Sequence, residues 1–280
     1  MKLHVIEAGF FKLDGGAMFG VVPKNLWQKT NPADQNNQIE LATRCLLVES
    51  ENKLVLIDTG LGNKQSEKFF SYYNRWGDHS LEGSLKEKGF HKDDITDVFL
   101  THLHFDHCGG AVERHPHKPE LLQPTFKNAI YHSHSEHWEW ASKPNAREKA
   151  SFLKENFEPI AQNGQLNFVD QTNSEPLPFD YLLFDGHTEK QLIPKIQYKD
   201  KTIIYTADLI PTLAHIPLPY VAGYDVRPLQ TLKEKAAFLA EAEENGFYLF
   251  FEHDAHHQMC SLQQTEKGVR HDAVFSLNTI

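Results

Sequence analysis

Short apolar runs separated by polar turns dominate this chain, and helical spacing is confined to a few stretches. Arg44-Cys-Leu-Leu-Val48 and Lys53-Leu-Val-Leu-Ile57 flank the polar Glu49-Ser-Glu-Asn52, a pattern that predicts a β-hairpin. Helices are expected near Lys64 to Tyr73 and over Ser80 to Lys88, the second ending at Gly89. Asp97 to Thr101 and Ala129 to His132 read as strands, and Ser133 is placed to cap a helix running to about Ala141. The spacing of Ala150, Leu153 and Phe157 predicts a helix over Ala146 to Phe157. In the second half, Tyr181 to Phe184, Leu192 to Tyr198 and Thr202 to Tyr205 read as strands, the last two joined at Lys199-Asp-Lys201. Leu229 to Glu244, rich in Ala, Leu, Glu and Lys, predicts the best helix, stopped by Asn245-Gly246. The apolar Phe247 to Phe251 is the last strand expected. Strands flank helices in both halves, which predicts an α/β protein with two sheets packed face to face and helices outside. No repeat or low-complexity linker interrupts residues 1–280, so one domain is expected.

Composition narrows the class. Forty per cent hydrophobic and 24 % charged residues describe an ordinary globular chain. A net charge of −10 argues against a nucleic-acid partner, which needs a basic footprint. No segment approaches a membrane span. Cys45, Cys108 and Cys260 are odd in number and far apart, which disfavours a disulfide framework and predicts a cytoplasmic protein.

The chemistry is concentrated in Thr101-His-Leu-His-Phe-Asp-His107, directly after the apolar Val98-Phe-Leu100. Imidazole and carboxylate are the donors that borderline-soft divalent metals prefer. In an extended segment residues two apart share a side, so His102 and His104 can grip one ion. Asp106 and His107 follow where the chain turns and can face a second. Three further donors stand at predicted strand ends: His187 in Asp-Gly-His-Thr188, Asp208 after Ile203 to Ala207, and His253 after Phe250-Phe-Glu252. Taken singly, each reads as a solvated loop residue or a turn cap.

Together these motifs resemble the metallo-β-lactamase superfamily. His-x-His-x-Asp-His is intact as His102 to His107 and is followed by Cys108-Gly-Gly110, where the family has a glycine-rich turn. Gly-His-Thr, the strand-end Asp and the late His map onto His187, Asp208 and His253 in order, and Leu56-Ile-Asp-Thr-Gly60 matches an early element whose Asp58 supports the site without being a ligand. The resemblance spans roughly residues 40 to 255 and implies a four-layered αβ/βα sandwich, two mixed sheets face to face with helices outside. It also implies two divalent metal ions, Zn²⁺ first, with Mn²⁺, Fe²⁺ or Co²⁺ as alternatives. His102, His104 and His187 would hold one ion, Asp106, His107 and His253 the other, and Asp208 would bridge them. The reaction implied is attack by a metal-bridging hydroxide on a carbonyl or phosphoryl centre, with Asp208 or Asp106 as the proton carrier.

Within the superfamily, Asp14-Gly-Gly-Ala-Met-Phe-Gly20, Ala207-Asp-Leu-Ile-Pro-Thr212 and His215-Ile-Pro-Leu-Pro219 look like the lactonase and organophosphate-hydrolase branch. Two departures stand out. Glu189-Lys-Gln191 replaces the second histidine of Gly-His-Thr-Pro-Gly-His, and Pro211 stands where some acyl-homoserine lactonases carry a tyrosine, leaving Tyr220 or Tyr224 as candidates for that role. The expected activity is a lactonase or esterase acting on a small molecule, N-acyl-homoserine lactones first. Phosphotriester or aryl-ester hydrolysis is the rival, and a non-hydrolytic metal-binding or redox sensor the reading from another class. Phe19, Phe105, His215, Ile216 and Tyr220 are the candidate substrate-binding residues, with Phe10, Phe11 and Met18 shared between pocket and core. A loop carrying Trp27 is a candidate cover for the pocket or contact in a homodimer. His132, His134 and His137 read as a solvated face, His256 and His257 as loop residues, Trp138 and Trp140 as packing aromatics, and Cys108 as a small buried residue.

Overall fold

The computed structural model describes residues 1–171 and 176–280. It opens with strand β1 (Lys2–Asp14), two short helices, α1 (Gly15–Phe19) and α2 (Lys24–Trp27), and strands β2 (Gln38–Glu49) and β3 (Leu54–Ile57). Helices α3 (Glu67–Ser71) and α4 (Leu81–Glu87), strand β4 (Asp97–Phe99) and the turn-like α5 (Phe105–Cys108) follow. Then come β5 (Val112–His115), β6 (Lys118–Pro124), β7 (Ile130–Ser133), α6 (Ser135–Ser142), α7 (Glu158–Gln162) and β8 (Leu166–Phe168). The remainder is β9 (Asp180–Phe184), β10 (Gln191–Tyr198), β11 (Lys201–Tyr205), the long α8 (Pro228–Glu244), β12 (Tyr248–Phe250), β13 (Met259–Thr265) and β14 (Gly268–Phe275). By its contacts the chain forms two compact units, Met1–Gly9 with Thr43–Pro178, and Phe10–Ala42 with Phe179–Ile280.

The first unit carries most of a six-stranded sheet of order β1-β2-β3-β4-β7-β8, beside the small β5-β6 hairpin. β2 and β3 are the expected antiparallel pair, and β3, β4, β7 and β8 run parallel. Both faces of a parallel sheet are covered, so its strands read as unbroken apolar runs; Leu54 to Ile57 is buried throughout. The core gathers Leu47, Leu56, Val98, Leu100, Tyr131 and Phe157. Asp97, at the start of β4, is buried and accepts from Lys53 Nζ at 3.0 Å and Thr96 Oγ1 at 2.6 Å, with His132 Nε2 at 2.7 Å. Burial works against its charge, but those partners outweigh it and pull the carboxyl down to about 2.

The second unit carries the sheet β14-β13-β12-β11-β10-β9. Only β11 and β12 pair in parallel, and α8 is the crossover between them. β9, β11 and β12 therefore point the same way, and their C-terminal ends share one edge. Asn245 closes α8 and Gly246 follows at φ +65°, the stop expected from Asn-Gly.

Several expectations need correction. α3 is shorter than Lys64 to Tyr73, because Ser66 accepts from Phe69 N and starts the helix late. His134, not Ser133, caps α6, its ring accepting from Glu136 N, while Ser133 still belongs to β7. The helix expected over Ala146 to Phe157 does not form. Asn145 Oδ1 accepts from both Arg147 N and Glu148 N, and the Ser151 carbonyl accepts from Phe105 N outside the segment. The first two bonds cap a turn, as at a helix start, but the turn is not continued into a helix, and only a 3₁₀ turn, Lys154–Asn156, precedes α7. The histidines expected on a solvated face are buried: His132, His134 and His137 are each at most 4 % exposed. Trp27 is likewise no free loop residue, being 1 % exposed and stacked on Phe19 at 5.3 Å. β13 and β14 were not expected, since Gln263-Gln264-Thr265 dilutes their apolar signal and a bulge lies between Cys260 and Leu262.

Candidate metal centre

In the first unit, His102 is the third residue past the end of β4. The ends of parallel strands are where an α/β sheet leaves its functional groups. His102 Nε2 lies 3.0 Å from His104 Nδ1, the ring centroids of His102 and His107 are 3.9 Å apart, and Asp106 Oδ2 lies 3.9 Å from His107 Nε2. All four donors of the motif thus converge, and all are buried. Asp58, one residue past β3, stands behind the motif. It accepts from Thr101 N at 2.8 Å and Thr101 Oγ1 at 2.6 Å, and its Oδ2 lies 3.2 Å from His107 Nδ1. Its φ of +57° is a left-handed conformation that a non-glycine residue keeps only under constraint. Gly109 and Gly110 then pass against Thr59 to Leu61. A Cβ on either would come within 2.3 Å of a backbone oxygen there, so the turn admits no side chain.

Three neighbours of this cluster were missed in the sequence. His137 Nε2 accepts from Leu103 N at 2.8 Å and so holds the backbone between His102 and His104. Glu148 Oε1 lies 3.5 Å from His104 Nε2. Tyr73 packs on Phe105 at 4.7 Å between centroids, and burial with the nearby Asp106 charge pushes its phenol up to about 12. Phe69 lies edge-on to Phe105 at 5.5 Å, so Phe105, Phe69 and Tyr73 form one aromatic group. Cys108 is fully buried, its thiol donating to the Leu103 carbonyl; burial pushes it up to about 12, and a small buried residue is what was expected.

The second unit repeats the rule of position. His187, Asp208 and His253 are each the third residue past the end of β9, β11 and β12. Asp208 lies between the two imidazoles: Oδ2 is 3.0 Å from His187 Nε2 and Oδ1 is 3.0 Å from His253 Nε2. The far sides of both rings are held, His187 Nδ1 by Asp225 at 2.8 Å and His253 Nδ1 by the Ala42 carbonyl at 2.8 Å. Two carboxylates on His187 dominate its titration. Burial opposes the charge, yet Asp208 and Asp225 outweigh it and raise the ring to about 10. A cation is strongly favoured at such a place, whether a proton or a metal ion. Ala207, just before Asp208, adopts φ +38°, a second strained residue beside the cluster.

The candidate substrate residues of this unit form a stack. Phe19 lies between Trp27 at 5.3 Å and His215 at 4.4 Å, both nearly parallel to it, with Tyr220 edge-on at 6.2 Å. Phe19, His215 and Ile216 are buried; Tyr220 keeps partial exposure. His215 Nε2 faces the Met18 carbonyl at 2.9 Å, which can only accept, so that nitrogen carries the proton and Nδ1 accepts from Thr212 Oγ1. Burial pushes this ring down to about 4. Lys235 on α8 ties the stretch in place by donating to the Pro217 and Tyr220 carbonyls at 2.9 and 2.8 Å, and burial pushes its amine down to about 7. Phe11 packs edge-on to His253 at 5.7 Å.

A family model described as the metallo-beta-lactamase superfamily matches residues 39–253, a span that includes every one of these donors. The chain belongs to the metallo-β-lactamase superfamily. Its mixed sheets and helices are accordingly those of the metallo-β-lactamase fold. The N-acyl homoserine lactonase AiiA of Bacillus thuringiensis subsp. kurstaki is 28 % identical over 142 residues, covering 47 % of this chain and 52 % of that protein. The chain thus spans about half the length of the curated relatives it matches. Among solved structures, a probable metal-dependent hydrolase from Staphylococcus aureus superposes with a TM-score of 0.87 at 28 % identity, covering 98 % of this chain and 96 % of that one. AidC, a dizinc quorum-quenching lactonase in complex with a product, shares the fold with a TM-score of 0.78 at 20 % identity, over 98 % of this chain and 95 % of its own. The hydrolase AbOPH does so with a TM-score of 0.78 at 18 % identity, over 98 % and 94 %. Among the described residues no helix is long and apolar enough to cross a membrane.

Proposed function

We propose that this member of the superfamily is a metal-dependent hydrolase that opens lactones, N-acyl-homoserine lactones being the first class to test. The observation that carries the reading is the Asp208 carboxylate, 3.0 Å from an imidazole nitrogen on each side. A carboxylate so placed offers one oxygen to each of two cations. The donors suit that role, because imidazole and carboxylate are the ligands of zinc and of its divalent neighbours. His102, His104 and His187 would hold one ion, Asp106, His107 and His253 the other, and Asp208 both. Zinc is the first candidate, with manganese, iron and cobalt as alternatives.

Divalent ions, when bound, supply Lewis acidity toward the scissile carbonyl and toward the attacking water. The chain's own residues do the rest. Asp208 orients the water and passes a proton to the leaving alkoxide, so that lactone and water become a hydroxy acid. Phe105, backed by Phe69 and Tyr73, offers an apolar face to an acyl chain. His215 serves as a ring in the stack and not as a base, since both its nitrogens are engaged and its ring stays neutral above about pH 4. Tyr220, partly exposed and edge-on to Phe19, or the exposed Tyr224 would stand in for the tyrosine that Pro211 replaces.

The test is proton release by zinc- or manganese-loaded protein acting on a long-chain acyl-homoserine lactone. A kcat/KM above about 10⁴ M⁻¹s⁻¹ supports a lactonase. A rate near background moves the proposal to aryl esters and phosphotriesters, for which the same assay with a chromogenic leaving group serves. Metal uptake without turnover on any ester would favour the sensor reading.

A further inference from the structure

We infer that Glu148 is a positioning residue for His104, the carboxylate that decides which ring nitrogen this histidine offers to a cation. The inference rests on the reading of His104 as a metal ligand and concerns a residue that no motif of the sequence marks.

The two nitrogens of His104 face different neighbours. Nδ1 lies 3.0 Å from His102 Nε2, on the side of the donor cluster, and Nε2 lies 3.5 Å from Glu148 Oε1. The orientation is the reverse of that found at His107, whose Nδ1 is the supported nitrogen, 3.2 Å from Asp58. A neutral imidazole carries its proton on one nitrogen only. Nε2 is buried and stands 3.5 Å from the Glu148 carboxylate, an ion-pair contact longer than a hydrogen bond; a proton drawn to that side leaves the Nδ1 lone pair for a metal. Without that carboxylate the proton can sit on either nitrogen, and the ring can turn.

Glu148 is built for this task. It is 3 % exposed, and its Oε2 accepts from Trp140 Nε1 at 2.7 Å and Asn145 Nδ2 at 2.6 Å, which aims Oε1 at His104. A buried carboxylate is costly unless hydrogen bonds and opposite charge offset it. The same short stretch grips the motif at two more points. Phe152 packs on the His104 ring at 4.6 Å, and the Ser151 carbonyl accepts from Phe105 N at 2.9 Å. The turn capped by Asn145 carries Glu148 to this position.

The experiment is a cobalt(II) titration of the whole chain, followed by visible d–d absorption, in wild type, Glu148→Ala and Glu148→Gln. Wild type is expected to take up two equivalents. In Glu148→Ala one of the two should bind about 10- to 100-fold more weakly, with a changed band, the usual loss when a ligand's outer partner is removed. In Glu148→Gln the amide oxygen is claimed by the Trp140 and Asn145 donors and its nitrogen then faces Nε2, so this folded, isosteric variant should also lose affinity, and a wild-type affinity there would overturn the inference. Unchanged affinities and spectrum in a folded Glu148→Ala, with only thermal stability lowered, would mean that Glu148 merely ties Trp140 to Asn145, and would overturn the inference. If that variant does not fold, ¹⁵N NMR of the histidines in zinc-loaded wild type decides. A protonated Nε2 and a metal-shifted Nδ1 at His104 are expected, and the opposite pattern overturns it. Wild type that takes up no cobalt at all would refute the metal-centre reading itself, and this inference with it.

Discussion

Asp225 Oδ1 lies 2.8 Å from His187 Nδ1, while its Oδ2 accepts from Thr231 Oγ1 at 2.6 Å. The histidine is thus clamped from behind by a carboxylate that α8 itself orients, and its Nε2 is turned toward Asp208. Asp225→Ala should free the ring and weaken metal retention about 10- to 100-fold, the usual effect of removing an outer-shell partner. Metal content after gel filtration at limiting zinc checks this. Full retention would leave Asp225 with a packing role only.

Asp208→Asn keeps the shape of the side chain but removes a negative charge and, on the proposed mechanism, the proton carrier. Turnover should fall about 10²- to 10⁴-fold, the range for a lost acid–base group. The comparison is made at matched metal content by elemental analysis. A variant of near wild-type rate with both metals in place would remove Asp208 from the proton path.

Phe19 is fully buried between Trp27 and His215. Phe19→Ala should cost about 3–5 kcal/mol, the range for deleting a core phenylalanine. Denaturant unfolding of the metal-free protein measures it. A loss below about 1 kcal/mol would mean that the stack collapses onto the gap, and would weaken the view that Lys235 holds the neighbouring stretch rigid.

His215 sets a pH dependence whose sign can be worked out. Its folded pKa, about 4, lies below the ordinary value of 6.5, so between those limits the unfolded chain binds the extra proton. Stability contributed by the neutral buried ring is therefore whole above about pH 6.5 and drains away as pH falls toward 4, by about 3 kcal/mol in all. Unfolding of metal-free protein across that window should show a shallower slope in His215→Asn than in wild type. Equal slopes would show that the ring is accessible to protons in the folded state.

What the sequence disclosed and what it hid follow from the range of the interactions involved. Strand β3 is a continuous apolar run whose meaning is local, and the donors His102, His187, Asp208 and His253 follow strand ends at a fixed offset. His102 to His107 declares its chemistry within six residues. Asp225, by contrast, meets His187 across 38 positions, and Glu148 meets His104 from a turn in a stretch where the apolar spacing favours a helix that does not form. His137 looked like a surface residue since nothing near it in sequence reveals that Leu103 N points at its ring. Supporting residues are chosen by the folded neighbourhood, so no local pattern announces them.

The buried Asp97 group at the start of β4 has a bearing on what acid does to the first unit. His102, His104 and His107 would have to be unprotonated to hold a cation, so acid would compete with an ion there. Asp97, held down to about 2, keeps its charge through mild acid, and the stability it lends is lost only as pH drops from 3.8 toward 2. The contribution of Asp97 to this strand thus lasts well into the acid range. At pH 5 the charged Asp97 would still anchor β4 to Lys53 and His132, so the segment leading to the proposed ligands would be held in place for an ion to rebind.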